Sequence, residues 1–585
     1  MREKNLVLKE KLVKASLGEI RLDLLLKNCN LVNVYSGEIL ETDVGIALER
    51  IVSVHRNGKD ARRKINCSGY YAVPGLIDAH VHLDSTLLTP RQLARIILPR
   101  GTTSVLIDPM ETANVLGIRG VKILLKDAWS TPLKTFVQIS SRVPTAPGLE
   151  TTGAKIELDE IERAVRSEWT VALGEMDPSK IIPPQRKYMA RLITAEKARK
   201  IRVGHAAGLS GSKLEAYVSA GLGDDHECVT AEEALERIRL GMKVMVREGS
   251  SERNLEDLVK VISKYRVDSR HLFFCTDDKH PDDIIREGHI DYNVREAIEV
   301  GVDPIEAIQM ATLNCAEHFG LDNEIGSIAP GRIADIILVR DLKEFKPEIV
   351  IANGELVAKD GKFLKKLPKF NWPKWSKNTV KLKSEMRPED FIVGSKKEVQ
   401  KVRVIKVIEG QIINEQIHAD LRVVGGEVQV DLEKDVIKIA CVERHKRTGN
   451  LAVAFVSGFG IKDGAIASSV AHDHHNIVVV GANDRDMAIA VNEIARMKGG
   501  LIAVKQGAVL AKLELPIAGL MSELRAEAVI ERLNMLNLAV KELGCKLKAP
   551  FMTLSFISLP TVPELGLTDK GLIDVKNHKI ISPLL

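Results

Sequence analysis

From about residue 71 to residue 320 the sequence alternates brief apolar runs with stretches of helical spacing. That alternation limits the fold more than any other feature, because parallel strands need long crossovers between them and a helix is the usual one. Eight runs are found, at 72–79, 104–107, 135–139, 170–173, 202–205, 220–222, 243–246 and 272–275. The sixth has the least strand character. Eight such βα units close into a (β/α)8 barrel, in which polar residues at the strand ends converge on one axial pocket. The expected class is therefore α/β.

The flanks read differently. Residues 1–21 carry charged and apolar residues at helical spacing and read as an N-terminal helix. Residues 22–70 hold strand-like pieces at 31–35, 43–48 and 51–55, with turn signals at Ser36-Gly37 and Asn57-Gly58. Strand and turn character returns over 325–366, through Gly326 to Val339 and the hairpin signals Asn353-Gly354 and Asp360-Gly361. The two segments are expected to form one small split β-sandwich around a barrel of 71–324. A Lys-, Trp- and Pro-bearing stretch, 367–383, reads as a linker in which Trp372 and Trp375 pack. Residues 384–585 read as a C-terminal α+β domain, with strands at 451–456 and 477–480 and helices at 484–497 and 520–543.

Composition excludes several classes. A chain of 585 residues with 84 basic and 79 acidic side chains, net +5, has a mixed surface, and nucleic acid is not an expected partner. No apolar run reaches membrane-spanning length, so no membrane partner is expected. Seven scattered cysteines with no Cys-x-x-Cys pair argue against a disulfide framework or a zinc knuckle. The N-terminus lacks the uninterrupted apolar core of a signal peptide, and a cytoplasmic protein is expected.

The barrel reading gives the candidate site. The first run ends in Asp78-Ala79-His80-Val81-His82, and residues i and i+2 of a strand share a face, so His80 and His82 can grip one cation together. The fourth run ends at Glu175, the fifth at His205, the sixth in Asp224-Asp225-His226-Glu227 and the eighth in Cys275-Thr276-Asp277-Asp278. Each alone is as easily a loop residue, a satisfied polar group or a helix cap. Together, His80, His82, Glu175, His205, His226 and Asp277 can hold two divalent metal ions. Glu175 suits the bridging position between ions about 3.5–4 Å apart. Asp277 is preferred as the ligand, with Asp278 as a support.

Pro74-Gly75-Leu76-Ile77-Asp78-Ala79-His80-Val81-His82, followed by the strand-end glutamate, two histidines and an aspartate, resembles the amidohydrolase superfamily. More narrowly, Asp108-Pro109-Met110-Glu111, Cys275-Thr276-Asp277-Asp278-Lys279-His280-Pro281, Ser469-Val470-Ala471-His472-Asp473-His474-His475-Asn476 and Leu515-Pro516-Ile517-Ala518-Gly519 resemble the bacterial and archaeal adenine deaminase family, from about Leu22 to the C-terminus. The (β/α)8 unit is then a metallo-barrel. No lysine lies in 171–177, which disfavours the amidohydrolases whose metals are bridged by a carboxylated lysine. The family pattern has His where Met110 stands and a small polar residue where His474 stands.

The resemblance implies hydrolysis of adenine to hypoxanthine and ammonia, in purine salvage, with manganese or iron as the metal and zinc also compatible. It implies a small-molecule purine base as partner, and the barrel class suggests a homo-oligomer. Hydroxide from a bridging water attacks the ring, Asp277 relays its proton, and Glu175 and Asp277 form the catalytic pair. Glu111 and Arg247 are candidate substrate contacts, each equally readable as a carboxylate or cation paired with a neighbour; Arg142 is in the same position. The cluster His472 to His475 reads as a turn that approaches the barrel mouth. Two alternatives stay open: an amidohydrolase acting on another aminopurine or a cyclic amide, and a non-catalytic metal-binding scaffold.

Overall fold

The computed structural model describes residues 2–56, 59–562 and 564–585, so the Asn57-Gly58 turn signal lies outside the described residues. Eight parallel strands form the central barrel: β1 (Leu76–Val81), β2 (Thr102–Ile107), β3 (Lys134–Ile139), β4 (Thr170–Met176), β5 (Ile201–Gly204), β6 (Asp224–Asp225), β7 (Lys243–Arg247) and β8 (Leu272–Cys275). Pairing runs in order from β1 to β5 and from β6 to β8. Two short seams close the ring. The Asp277 amide donates to the His80 carbonyl at 2.9 Å and the His82 amide to the Asp277 carbonyl at 2.9 Å, joining β8 to β1. Between β5 and β6, the Gly223 amide donates to the Arg202 carbonyl at 3.1 Å. Every residue of β1, β2 and β4 is buried, as expected of strands covered by helices outside and side chains within.

Two departures from the sequence reading have clear causes. The sixth strand is Asp224–Asp225, not 220–222: Ala220 caps the helix Gly211–Ser219 and Gly221 turns the chain at φ 94°. Apolarity does not reveal β6 because it consists of two buried aspartates with dedicated partners. Asp224 Oδ1 accepts from the Gly204 amide at 2.8 Å, and Asp225 Oδ2 accepts from Arg237 Nε at 3.0 Å. The first apolar run also divides at Gly75. Tyr71–Pro74 belongs to a separate sheet, and β1 begins one residue after the glycine. A Cβ at Gly75 would stand 2.2 Å from Thr103 Oγ1 and 2.8 Å from Asp335 Cβ, so only glycine lets the chain cross between the two sheets here.

That separate sheet has nine strands and draws on both flanks of the barrel. Tyr71–Pro74 lies between Leu22–Asn33, in parallel, and Ile336–Val339, antiparallel. The N-terminal helix Arg2–Leu17 buries Leu12 and Ala15 beside Leu22 and Leu25. Further along, Trp372 packs edge-on against Phe370 and the Trp375 ring lies 3.9 Å from the Arg119 guanidinium. The C-terminal region forms a second nine-stranded sheet, with Ala465–Ser468 and Ile477–Gly481 paired near its middle and the helices Asp484–Met497 and Ala526–Glu542 against it. The loop between those two strands, 469–476, reaches the barrel mouth. Among the described residues no helix is long and apolar enough to cross a membrane.

Gly75→Ala is expected to lower the thermal midpoint by several degrees, the overpacking cost of about 1–3 kcal/mol expressed at one site. Gly223→Ala, whose Cβ would meet only His318 at 3.9 Å, should leave the midpoint within about one degree. Differential scanning fluorimetry compares the two.

Candidate functional site

The strand ends bring six of the sequence-selected residues together. His80 lies in β1 and His82 just beyond it, their rings edge to face at 5.0 Å. Glu175 is in β4, His205 follows β5, His226 follows β6 and Asp277 lies beyond β8 in a left-handed conformation, φ 58°. Asp277 Oδ1 stands 3.6 Å from His80 Nε2 and 3.4 Å from His82 Nε2. Glu175 Oε2 is 3.0 Å from His205 Nδ1 and 3.1 Å from His226 Nε2, and its two oxygens lie 3.9 and 4.0 Å from the Nε2 atoms of His80 and His82. Glu175 thus stands between two pairs of imidazoles.

The supporting bonds suit a metal. His80 Nδ1 is 2.6 Å from Gln138 Oε1, and the Gln138 amide nitrogen donates to the Ala79 carbonyl at 2.7 Å, which fixes the amide orientation. His82 Nδ1 is 3.1 Å from the Asp108 carbonyl. Both rings therefore spend Nδ1–H on an oxygen and turn a bare Nε2 inward, the arrangement that second-shell partners impose on metal-binding histidines. His80 Nε2 is buried and has no hydrogen-bond partner in the protein. Three groups have ligand-capable atoms within 4.8 Å of one another around this point: His80, His82 and Asp277; His80, Glu175 and His226; His205, His226 and Glu227. Such buried nitrogen and carboxylate donors are a set that could hold divalent metal ions.

Charges alternate through the site. Burial, helped by the nearby His226, pushes His80 down to about 3, so it is a neutral donor. Burial works against the ionised form of Glu175, but Arg142 and His205 hold it well below the usual carboxylate range. Asp277 is likewise held low against burial, by His226 and Arg247. Arg247, the last residue of β7, donates from Nη1 to Asp277 Oδ2 at 2.9 Å and to Glu227 Oε1 at 2.6 Å. Arg142 forms a close ion pair with Glu175 and lies 3.4 Å from Asp473 and 3.6 Å from Asp177.

The pocket beside these groups is lined by His82, Arg142, Glu175, His205, His226, Glu227, Arg247 and Asp277, with His472, Asp473, Phe556 and Val562 from the C-terminal region. Glu111 is not in the lining. It opens the helix Met110–Ala128, and its carboxylate faces His472 and His475. The sequence reading passed over Glu227 and Asp473. Glu227 follows a chosen histidine in the same four-residue string; Asp473 sits in the His472 to His475 cluster, which the sequence reading brings to the barrel mouth without giving any of its residues a contact. Met110 lies in the apolar core and His474 turns toward Cys441, so neither lines the pocket. Gln138→Ala is expected to weaken metal binding about 10–100-fold by releasing the His80 ring, read as metal retained after graded chelator challenge.

Comparison with known proteins accords with this geometry. Residues 71–357 match the amidohydrolase family and 411–579 match the adenine deaminase C-terminal domain. An adenine deaminase of Desulforamulus reducens is 48% identical over 570 residues, covering 97% of each chain. One from Kosmotoga olearia is 41% identical, covering 98% of each chain. Among solved structures, a beta-aspartyl dipeptidase from Fervidobacterium islandicum is 18% identical with a TM-score of 0.46, covering 60% of this chain and all of its own. With sequence identity of this order sustained over nearly its whole length, the chain belongs to the adenine deaminase family, within the amidohydrolases.

Proposed function

We propose that the protein converts adenine and water to hypoxanthine and ammonia. The observation that carries this reading is Glu175, a buried carboxylate flanked by His80 and His82 on one side and His205 and His226 on the other, in a chain 48% identical to a protein named for that reaction. His80, His82 and Asp277 would hold one divalent ion and His205 and His226 a second, with Glu175 between them. Manganese or iron fits this mixed imidazole and carboxylate set, and zinc is compatible with it. When bound, such a pair lowers the pKa of water toward about 7 and so supplies hydroxide at neutral pH.

The chain's own residues do the rest. Asp277 has Oδ2 engaged by Arg247, which leaves Oδ1 to take the proton of the attacking water and pass it to the substrate. The water oxygen bonds to the ring carbon bearing the amine, and that carbon's bond to nitrogen breaks as ammonia leaves. Arg247 faces the same space and is a candidate contact for the base. Phe556, Leu559 and Val562 give an apolar wall suited to a flat aromatic ring and to excluding bulk water. In this reading the part of 71–324 from Leu76 onward is the catalytic barrel, 22–70 with Tyr71–Pro74 and 325–366 a composite β-sandwich, and 384–585 a domain that closes the mouth. Seven free, buried cysteines support a reducing, cytoplasmic setting.

Manganese-loaded protein should release ammonia from adenine and not from guanine, adenosine, cytosine or dihydrouracil run beside it. Ammonia from one of these others, with silence on adenine, would move the protein to a different amidohydrolase activity. Asp277→Asn should lose about 10²–10⁴-fold in turnover while keeping most of its metal, and normal turnover would remove Asp277 from the proton path.

A further inference from the structure

The loop 469–476 carries an ordered chain of side chains into the barrel mouth. The Ala471 amide donates to His475 Nδ1 at 3.0 Å, so the proton of that ring sits on Nε2, which donates to Glu111 Oε2 in a close bond. The other Glu111 oxygen, Oε1, lies 3.1 Å from His472 Nδ1. One carboxylate from the barrel thus binds His475 and faces His472, both from the C-terminal region. Phe556 stacks on the His472 ring at 5.3 Å, and Ser558 Oγ donates to the His472 carbonyl at 2.8 Å. With Nδ1 facing Glu111, His472 turns Nε2 to the other side of its ring, within the pocket lining. That atom is buried and has no hydrogen-bond partner; its nearest acidic neighbour, Asp278 Oδ2, stands at 3.8 Å, too far for a hydrogen bond.

We infer that His472 is a substrate-contacting residue, whose Nε2–H donates to a ring nitrogen of the purine, and that Glu111 and His475 are positioning residues that aim it. The inference rests on the adenine reading above. Addition of hydroxide to the ring pushes electron density onto the nitrogen beside the attacked carbon, and a preorganised donor there stabilises the transition state more than the ground state. A carboxylate faces each nitrogen of the His472 ring, Glu111 at Nδ1 and Asp278 at Nε2, an arrangement that favours a proton on both and so a donor at Nε2. The site is then shared: the barrel supplies the metal-binding groups and the C-terminal domain supplies the group that holds the base.

The test uses manganese-loaded full-length protein and four measurements: adenine deamination, metal content, calorimetric binding of hypoxanthine, and rescue by imidazole. His472→Ala should lose about 100–1000-fold in kcat/KM. It should keep its metal, bind hypoxanthine at least about tenfold more weakly and recover part of its activity with added imidazole. His472→Gln, which keeps a donor and bulk under Phe556, should fall between His472→Ala and wild type. Glu111→Gln should lose activity without imidazole rescue. Three results would overturn the assignment: deamination and hypoxanthine binding of His472→Ala within threefold of wild type; loss of metal along with activity; or loss of activity with hypoxanthine binding unchanged and no rescue. Wild-type protein silent on adenine would defeat the proposed function instead, and hypoxanthine binding would still decide for or against His472.

Discussion

Burying the Glu175 carboxylate sets the terms for everything around it. An ion taken out of water costs several kcal/mol unless charge and hydrogen bonds replace what solvent gave. Here Arg142 replaces it with charge and the rings of His205 and His226 lie against its oxygen, and the Arg142 guanidinium brings its own debt of charge. Arg142 is balanced by Asp473 and Asp177, His205 and His226 by Glu227, and Glu227 by Arg247, which also reaches Asp277. The result is a closed circuit of alternating charge drawn from most strands of the barrel and from the C-terminal loop. Truncating any member would leave a buried partner uncompensated, which ties activity and stability together at this site.

Backbone geometry makes room for that circuit. Gly174 precedes Glu175, and a Cβ there would stand 2.1 Å from Asp108 Oδ2. Asp108 accepts from Ser140 Oγ at 2.6 Å and from the Glu175 amide at 3.2 Å, while its own carbonyl faces His82. One residue at the end of β2 therefore steadies both the bridging candidate and a candidate ligand. Gln138, in β3, does the same for His80. Strands without a proposed ligand thus contribute by holding the rings and carboxylates of those that have one. At the β8–β1 seam, Asp278 follows Asp277 but faces His472, so two adjacent aspartates serve different sides of the pocket.

The barrel, its polar strand ends and the family pattern were legible in the sequence because they follow local rules: apolar runs at regular intervals, and His80-x-His82 at the period of a strand. The sixth strand was not, since Asp224 and Asp225 are buried through pairing with the Gly204 amide and Arg237 rather than through apolarity. The break at Gly75 was also hidden, because two strands of different sheets read as one run when only apolarity is followed. The loop at His472 could be expected near the barrel mouth, yet which of its three histidines faces the pocket depends on Ala471 and Glu111, partners that no spacing announces. His474, which lies between His472 and His475 in the loop, turns the other way.

The most direct measurement is the number of divalent ions retained per chain after reconstitution with manganese and removal of excess metal. Two ions in the wild type, falling to one or none in Glu175→Ala with loss of deamination, is the outcome expected of a carboxylate shared between two imidazole pairs. A wild type that deaminates adenine with a single ion, or a Glu175→Ala variant that keeps both, would contradict the shared centre.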